Sequence, residues 1–134
     1  MYPYFRTGLA LLGLGLFLQL GVAGGVLADT VDYRGTFAGA SGHQTGGTFT
    51  IVNTGNGHEV VLSSDFTFDG APDPWVALGN ASVKEAGFLA VLQQNSGRQS
   101  YKIPQGIDPM YITHLYIWCK KYAVPLGVAK LEKQ

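Results

Sequence analysis

The sequence predicts an all-β fold, an antiparallel β-sandwich or a partly closed barrel that follows an N-terminal signal segment. Short runs of alternating apolar and polar residues recur at intervals of about 8–14 residues, as strands do in such folds. Gly, Asn and Pro separate these runs, and all three residue types favour turns. The longest stretch with helical character is "ASVKEAG" at 81–87, about two helical turns.

The first predicted strands form a hairpin. "TFTIV" (48–52) alternates in the way that a half-buried strand does. "NTGNG" (53–57) supplies turn residues, and "HEVVLSSDFTF" (58–68) continues as strand. Two such runs joined by a short connection that contains glycine are typical of a β-hairpin.

A loop with two prolines separates this hairpin from the rest of the predicted sheet. "DGAPDP" (69–74) is expected to stay outside a central strand ladder, because proline has no N–H to donate. A tight turn at 95–97 and a loop at 104–109 follow. The remaining predicted strands are 75–79, 87–94, 98–103, 110–124 and 125–132.

The first 28 residues have the pattern of a secretory signal peptide. Arg6 is their only charged residue, and the run from Thr7 to Ala28 is uncharged. Val26-Leu27-Ala28 offers small residues where a signal peptidase cleaves, just before Asp29. The same run is long enough to remain as an uncleaved membrane anchor. We expect residues 29–134 to form a single exported domain. Its expected location is the periplasm, the extracellular medium or the cell surface. It would be attached to a membrane only if residues 1–28 are retained.

The charge balance excludes some classes of partner. Residues 29–134 carry eight Lys and Arg against nine Asp and Glu, whereas nucleic acid and anionic lipid select dense basic patches. Nucleic acid is therefore not expected as a partner. The chain has one cysteine, so it forms no intramolecular disulfide. An odd thiol in an exported protein suggests intermolecular pairing, a prosthetic group or a reactive site.

That cysteine, Cys119, lies near the end of a predicted strand from Met110 to Lys121. Leu115 and Ile117 identify the face that Cys119 shares as the core face, and free cysteine is often a small buried hydrophobe. Alternation therefore favours a structural thiol. It predicts one face with Tyr111, Thr113, Leu115, Ile117 and Cys119, and the other with Ile112, His114, Tyr116, Trp118 and Lys120.

The neighbours of Cys119 favour a redox role instead. Lys120 and Lys121 follow it directly, and two ammonium groups close to a thiol stabilise the thiolate and lower its pKa. Trp118 and Tyr122 would shield the sulfur or stack on a flat cofactor. The residues alone leave both interpretations open.

Other chemistries have less support. Hydrolysis by a Cys119 nucleophile needs a base within hydrogen-bond reach, but His114 is expected on the opposite face of the strand. The histidines show no zinc-ligand spacing. Asp65, Asp69 and Asp73 are weak calcium candidates; carboxylates that cap turns and strand ends explain them better. No metal site is predicted firmly.

Three segments resemble the DM-thirteen domain family. They are "SSDFTFDGAPDPWVAL", "FLAVLQQNSGRQSYKIPQGIDP" and "YITHLYIWCKKYAVPLGVAKL", and the resemblance runs from about Thr36 to Leu131. The last segment is the most specific, because it contains the Trp-Cys pair and the Leu-Gly-x-Ala-x-Leu ending of the family pattern. Two departures are the extra Ala71 before Pro72 and Pro74-Trp75 in place of an aliphatic strand start.

The resemblance implies a small extracytoplasmic β-rich domain with an electron-transfer role. Cys119 would be its redox residue, as a bare thiol that passes through sulfenic acid or a mixed disulfide, or as a ligand to a prosthetic group such as haem. No cofactor is required if the thiol acts alone. Trp118, Tyr122, Tyr101 and His114 would form the surround, and a second haem ligand would be His114, His58 or Met110. The expected partner is a redox protein of unknown identity, or a second copy linked through Cys119.

The competing prediction is a non-catalytic binding or adhesion module. The loops "GASGHQTGG" and "FDGAPDP" would contact a protein or a glycan, and Cys119 would only fill the core. In either case we expect an electron-transfer or binding domain more than an enzyme with its own substrate. Access to the thiol in the native fold discriminates between the two.

Overall fold

The computed structural model describes Gly21 and residues 28–134, and it has two five-stranded antiparallel sheets in a sandwich-like arrangement. This confirms the predicted fold class, in its sandwich form. The strands are β1 (Thr30–Thr36), β2 (Ala38–Gly39), β3 (Thr45–Gly46), β4 (Thr48–Asn53), β5 (His58–Leu62), β6 (Thr67–Phe68), β7 (Pro74–Gly79), β8 (Phe88–Val91), β9 (Gln99–Ile103), β10 (His114–Cys119), β11 (Val124–Lys130) and β12 (Glu132–Lys133).

The strand order explains which segments meet. The first sheet has the order β12-β1-β4-β5-β9 and the second has β2-β11-β10-β7-β8, while β3 and β6 pair separately. Short 3-10 helices occur at Glu85–Gly87 and Pro109–Tyr111. The strand β10 lies in the centre of the second sheet, so its backbone is paired on both sides.

The core lies where the two sheets face each other. Each strand presents alternate side chains to it, as the pleat of a β-strand requires. The largest side chains that are almost completely buried come from both sheets and from the loop before β6: Phe49, Phe66, Ile51, Leu62, Leu78, Leu115, Ile117 and Leu126.

The predicted hairpin is confirmed as β4 and β5, but the predicted strand 58–68 is interrupted. After β5, Ser63 donates to the Thr48 carbonyl, and Phe66 donates to the Ser63 carbonyl in a turn. The Asp65 carboxylate accepts from the Thr48 N–H at 2.9 Å. These bonds turn the chain away, so that β6 pairs with β3 in the two-stranded sheet.

The observed strand β10 (His114–Cys119) begins later and ends earlier than the predicted strand 110–121. Asp108 accepts a hydrogen bond from the Met110 N–H at 2.9 Å, which caps the 3-10 helix Pro109–Tyr111. Tyr111 is therefore 73% exposed, and its predicted place on the core face is wrong. After Cys119 the chain turns and returns as β11.

The expectation that 69–74 stays outside a central ladder is wrong at its last residue. Pro74 is the first residue of β7, which lies between β10 and β8. Proline is tolerated at the first residue of a strand. Its carbonyl accepts from the Leu92 N–H at 2.9 Å, so the missing N–H costs the sheet little.

The signal-peptide and anchor predictions fall on residues 1–28, which lie outside the described residues apart from Gly21 and Ala28. Within the described part of the chain, no helix has the length and apolar character needed to cross a membrane.

Candidate functional site

Cys119 is the last residue of β10 and faces the core. Its neighbours across the sheet are Pro74 on β7 and Val124 on β11. The side chain is 1% exposed, and its Sγ donates a hydrogen bond to the Pro72 carbonyl at 3.2 Å. The core position that alternation predicts for Cys119, Leu115 and Ile117 is therefore confirmed.

A short exposed segment contacts the thiol through a backbone carbonyl. Residues 69–73, which we call the thiol loop, connect β6 to β7, and Pro72 and Asp73 in it are exposed. Asp73 has a φ of 51° and lies between two prolines, a backbone region that L-residues rarely adopt. The thiol loop thus contains Asp73, whose backbone is strained, next to Pro72, whose carbonyl is the only acceptor of the thiol hydrogen among the described residues.

Two further hydrogen bonds hold the thiol loop against the sheet. The Lys120 N–H donates to the Asp73 carbonyl at 3.2 Å. The Trp75 indole Nε1–H donates to the Asp73 carboxylate at 2.9 Å. Both bonds end on Asp73, so this residue fixes the loop above Cys119.

Lys120 and Lys121 lie in the turn after β10. The Lys120 ammonium is 4.4 Å from the centre of the Trp75 ring and 4.7 Å from that of Phe88, and 3.2 Å from a Glu85 carboxylate oxygen. The Lys121 ammonium is 5.4 Å from the Tyr122 ring centre. These contacts are with surface aromatic rings and a carboxylate, and stabilisation of a Cys119 thiolate by the two lysines stays a prediction.

The predicted surround of Cys119 does not assemble into one pocket. Trp118 packs edge-on against Tyr116, with ring centres 5.7 Å apart, and its strand position points it away from the core. Tyr122 is 61% exposed in the turn. Tyr101 lies in the other sheet, where the Gln93 N–H donates to its hydroxyl at 2.9 Å.

The residues named for haem ligation do not fit a common haem. Cys119 points into the core, whereas His114 is five residues away on the other face of β10 and bonds Thr113 at 2.7 Å. His58 lies in the first sheet and contacts the Asp32 carboxylate at 3.0 Å. Met110 is 64% exposed. Because these donors point in different directions, we derive no step through haem.

The three aspartates considered for calcium have separate partners. Asp65 binds Thr48, Asp69 accepts from the Gln44 N–H at 3.0 Å, and Asp73 accepts from Trp75. Among the described residues, no three His, Cys, Asp or Glu side chains are placed to hold a metal ion. Each carboxylate instead fixes a loop to a neighbouring segment.

Sequence reasoning missed the ion pair between Asp69 and His43. The ring Nδ1 of His43 lies 2.9 Å from Asp69 Oδ1. The Gln44 N–H and His43 together lower the pKa of Asp69 below its ordinary value of 3.8. Twenty-six positions separate the two residues, so no local pattern indicates the pair.

Pro72 was also missed as the partner of the thiol. The contact spans 47 positions and uses a backbone carbonyl, so the side-chain pattern carries no signal for it. The only available hint was the Pro-Asp-Pro triplet, which predicts a rigid turn.

Comparison with known protein families matches residues 36–131 to the family described as electron transfer DM13. The chain belongs to this family. The match covers most of the described residues, including the thiol loop, β10 and Cys119. Searches among curated proteins and among solved structures each found no match. The resemblance to the DM-thirteen family is thereby confirmed.

Proposed function

We propose that this DM13 domain transfers electrons outside the cytoplasm through the Cys119 thiol, after export directed by residues 1–28. Membership of the electron-transfer family supports a redox role. The observation that carries the assignment to Cys119 is its contact with the thiol loop. The only thiol of the chain donates its hydrogen to a carbonyl of this loop, in which Pro72 and Asp73 are exposed.

The proposed chemistry is thiol–disulfide exchange with a disulfide of a partner protein. The Cys119 thiol loses its proton to water, and the thiolate attacks one sulfur of the partner disulfide. A new sulfur–sulfur bond forms, the partner bond breaks, and the second partner sulfur leaves as a thiolate. A donor protein with two thiols then completes the exchange. One donor thiolate attacks the Cys119 sulfur of the mixed disulfide and releases the partner with both of its thiols reduced. The second donor thiolate attacks the donor sulfur of the new mixed disulfide and releases the Cys119 thiolate. The donor is left as a disulfide, and one electron pair has passed from it to the partner.

Exchange requires the thiol loop to open, because the Cys119 side chain is 1% exposed. Opening of residues 70–73, with Asp69 still held by Gln44 and His43, breaks the hydrogen bond from the thiol and the two bonds to Asp73 described above. At about 1 kcal/mol for each bond, the open state lies about 3 kcal/mol above the closed one. This corresponds to an open population on the order of 1%.

Thiol labelling tests whether such local opening occurs. The native protein is expected to react with a thiol reagent at about one hundredth of the rate of the unfolded chain. This rate should change little with low concentrations of denaturant, since local opening exposes little surface. If labelling instead follows global unfolding over the whole denaturant range, the electron-transfer assignment to Cys119 is wrong.

A matched pair of variants separates the thiol loop from general destabilisation. Trp75→Phe removes the indole bond to Asp73, and labelling of Cys119 should become about fivefold faster. Trp118→Phe is the control, because Trp118 pairs with Trp75 across the sheet and its indole N–H bonds no group in the described residues. Equal acceleration in both variants would contradict a loop held closed by Asp73.

Two parts of the proposal have their own tests. If Lys120 and Lys121 stabilise the thiolate, Lys120→Gln and Lys121→Gln should slow the labelling of Cys119 at a fixed pH. If export removes residues 1–28, mass spectrometry of protein from the extracytoplasmic fraction should find Asp29 as the first residue. A mature chain that still begins at Met1 would contradict cleavage.

The burial of Cys119 favours a second candidate function, a binding module without redox chemistry. The thiol belongs to the same buried cluster as Leu115 and Ile117, and a buried structural thiol is inert. This candidate predicts labelling only after global unfolding, and unchanged function in Cys119→Ser.

A further inference from the structure

We propose that the described chain has a small-ligand site at the opposite end of β10 from Cys119, and that it binds an amphipathic monocarboxylate. The site is a cavity of about 380 Å³ between the end of β7, the segment 80–87 and the segment 107–112. This inference is independent of the redox function, because the cavity and Cys119 lie about 16 Å apart along the strand.

The lining of the cavity indicates an apolar ligand. Leu78, Ala81, Ala86, Ile107 and Ile112 belong to the lining, and most of the lining surface is apolar. Its volume falls within the range of about 300–1,000 Å³ that small-ligand sites occupy. At about 30 Å³ for a water-sized group, it admits on the order of ten non-hydrogen atoms.

Two polar groups at the cavity indicate the charge of the ligand. Lys84 is the one charged residue of the lining, and it forms no ion pair with any described residue. Asn80 uses its Oδ1 to accept from the Thr113 N–H at 3.0 Å. That bond occupies the amide oxygen and leaves the amide N–H groups as donors. An ammonium and an amide donor beside an apolar cavity suit a carboxylate with a short hydrocarbon chain.

The backbone forms this cavity through two close approaches. A Cβ at Gly79 would lie 2.3 Å from the Ser82 carbonyl oxygen, and one at Gly87 would lie 2.1 Å from the Leu78 carbonyl oxygen. Only glycine permits either contact. The segment 80–87 is therefore held close to the end of β7 at both of its ends, so its cavity wall is preformed.

Methyl NMR of the isoleucines tests the site directly. Ile107 and Ile112 line the cavity, whereas Ile51 and Ile117 are fully buried in the core and serve as internal controls. Titration of the purified protein with hexanoate should shift the Ile107 and Ile112 methyl signals saturably, with a dissociation constant on the order of 1 mM. Signals of the two controls should stay in place.

Variants and analogues test the carboxylate preference. Lys84→Gln should weaken hexanoate binding up to about fivefold, and Ala86→Leu should weaken it further by filling the cavity. Lys102→Gln, an exposed change on β9, is the matched control and should leave binding unchanged. Hexan-1-ol should bind more weakly than hexanoate and should not respond to Lys84→Gln.

Three results would overturn this assignment. The first is the absence of saturable shifts at Ile107 and Ile112 at about ten times the expected dissociation constant of 1 mM. The second is equal movement of the core controls, which would indicate a general effect of the additive. The third is hexan-1-ol binding as tightly as hexanoate, which would remove the role of Lys84. Labelling of Cys119 is measured separately, so each proposal can fail alone.

Discussion

Replacing Ala123 with glycine is expected to stabilise the protein. Ala123 is an exposed residue in the turn between β10 and β11, and its φ is 52°. The left-handed region costs an L-residue about 1–2 kcal/mol. Glycine avoids that cost but loses about 0.5–1 kcal/mol more conformational entropy on folding. The net gain is about 0.5–1 kcal/mol, since the exposed methyl group contributes little packing.

Thermal unfolding measures this gain. For a domain of this size, 0.5–1 kcal/mol corresponds to a rise in Tm of about 2–6 °C. Ala38→Gly is the matched control, because Ala38 is also exposed but lies within β2. Glycine within a strand should lower the free energy of unfolding by about 0.5–1 kcal/mol. If Ala123→Gly lowers Tm as much as Ala38→Gly does, the strain at Ala123 is refuted.

Three further predictions concern the core, acid and alkali. Phe66→Ala removes a fully buried ring whose centre lies 5.5 Å from the ring centre of Phe37. Urea unfolding should show a free energy of unfolding lower by about 3–5 kcal/mol. A loss below about 1 kcal/mol would contradict that packing. The pKa of Asp69 lies below 3.8 in the folded protein, so the stability it contributes is fully present above pH 3.8 and is lost as pH falls through the lowered pKa. Asp69→Asn should therefore lower Tm near neutral pH and converge with the wild type in strong acid, whereas a constant difference would refute the ion pair. Burial raises the pKa of Tyr101 and Tyr116 above 10.0. The stability that their buried neutral side chains contribute to the fold is therefore fully present below pH 10.0 and is lost as pH rises through the raised pKa values. Absorbance titration of the five tyrosines in residues 29–134 should show a late fraction that disappears with unfolding, and titration of all five together in the native protein would be inconsistent with this burial.

Short-range patterns predicted the fold class and the orientation of the central strand. Leu115, Ile117 and Cys119 alternate with His114 and Trp118, and the pleat converts this period of two directly into an inner and an outer face. The hairpin of β4 and β5 was also predictable, because its turn residues are adjacent in sequence. In both cases the decisive interactions lie within a few positions of each other.

The interruptions of predicted strands arise from contacts that a linear pattern does not contain. The chain leaves the strand after β5, where the Asp65 carboxylate accepts a hydrogen bond from the N–H of Thr48, seventeen positions earlier. Asp108 and Pro109 start a 3-10 turn where the apolar pattern continues as if it were a strand. In each case a side-chain acceptor satisfies a backbone N–H and competes with the strand ladder.

The candidate site was only partly predictable for the same reason. The core position of Cys119 follows from alternation, but the Pro72 carbonyl and the role of Asp73 in the thiol loop depend on the pairing of β10 with β7. The cavity with Lys84 depends on two loops that come together only in the folded chain. A single sequence indicates which strand carries the thiol and not what covers it.

The pairing of β10 on both sides has a consequence for the length of this segment. Inserting or deleting one residue between His114 and Cys119 would exchange the two faces of the strand, because the pleat has a period of two. Trp118 or Lys120 would then enter the core where Cys119 now lies, and the thiol would face outward. We therefore expect β10 to tolerate substitutions far better than insertions or deletions.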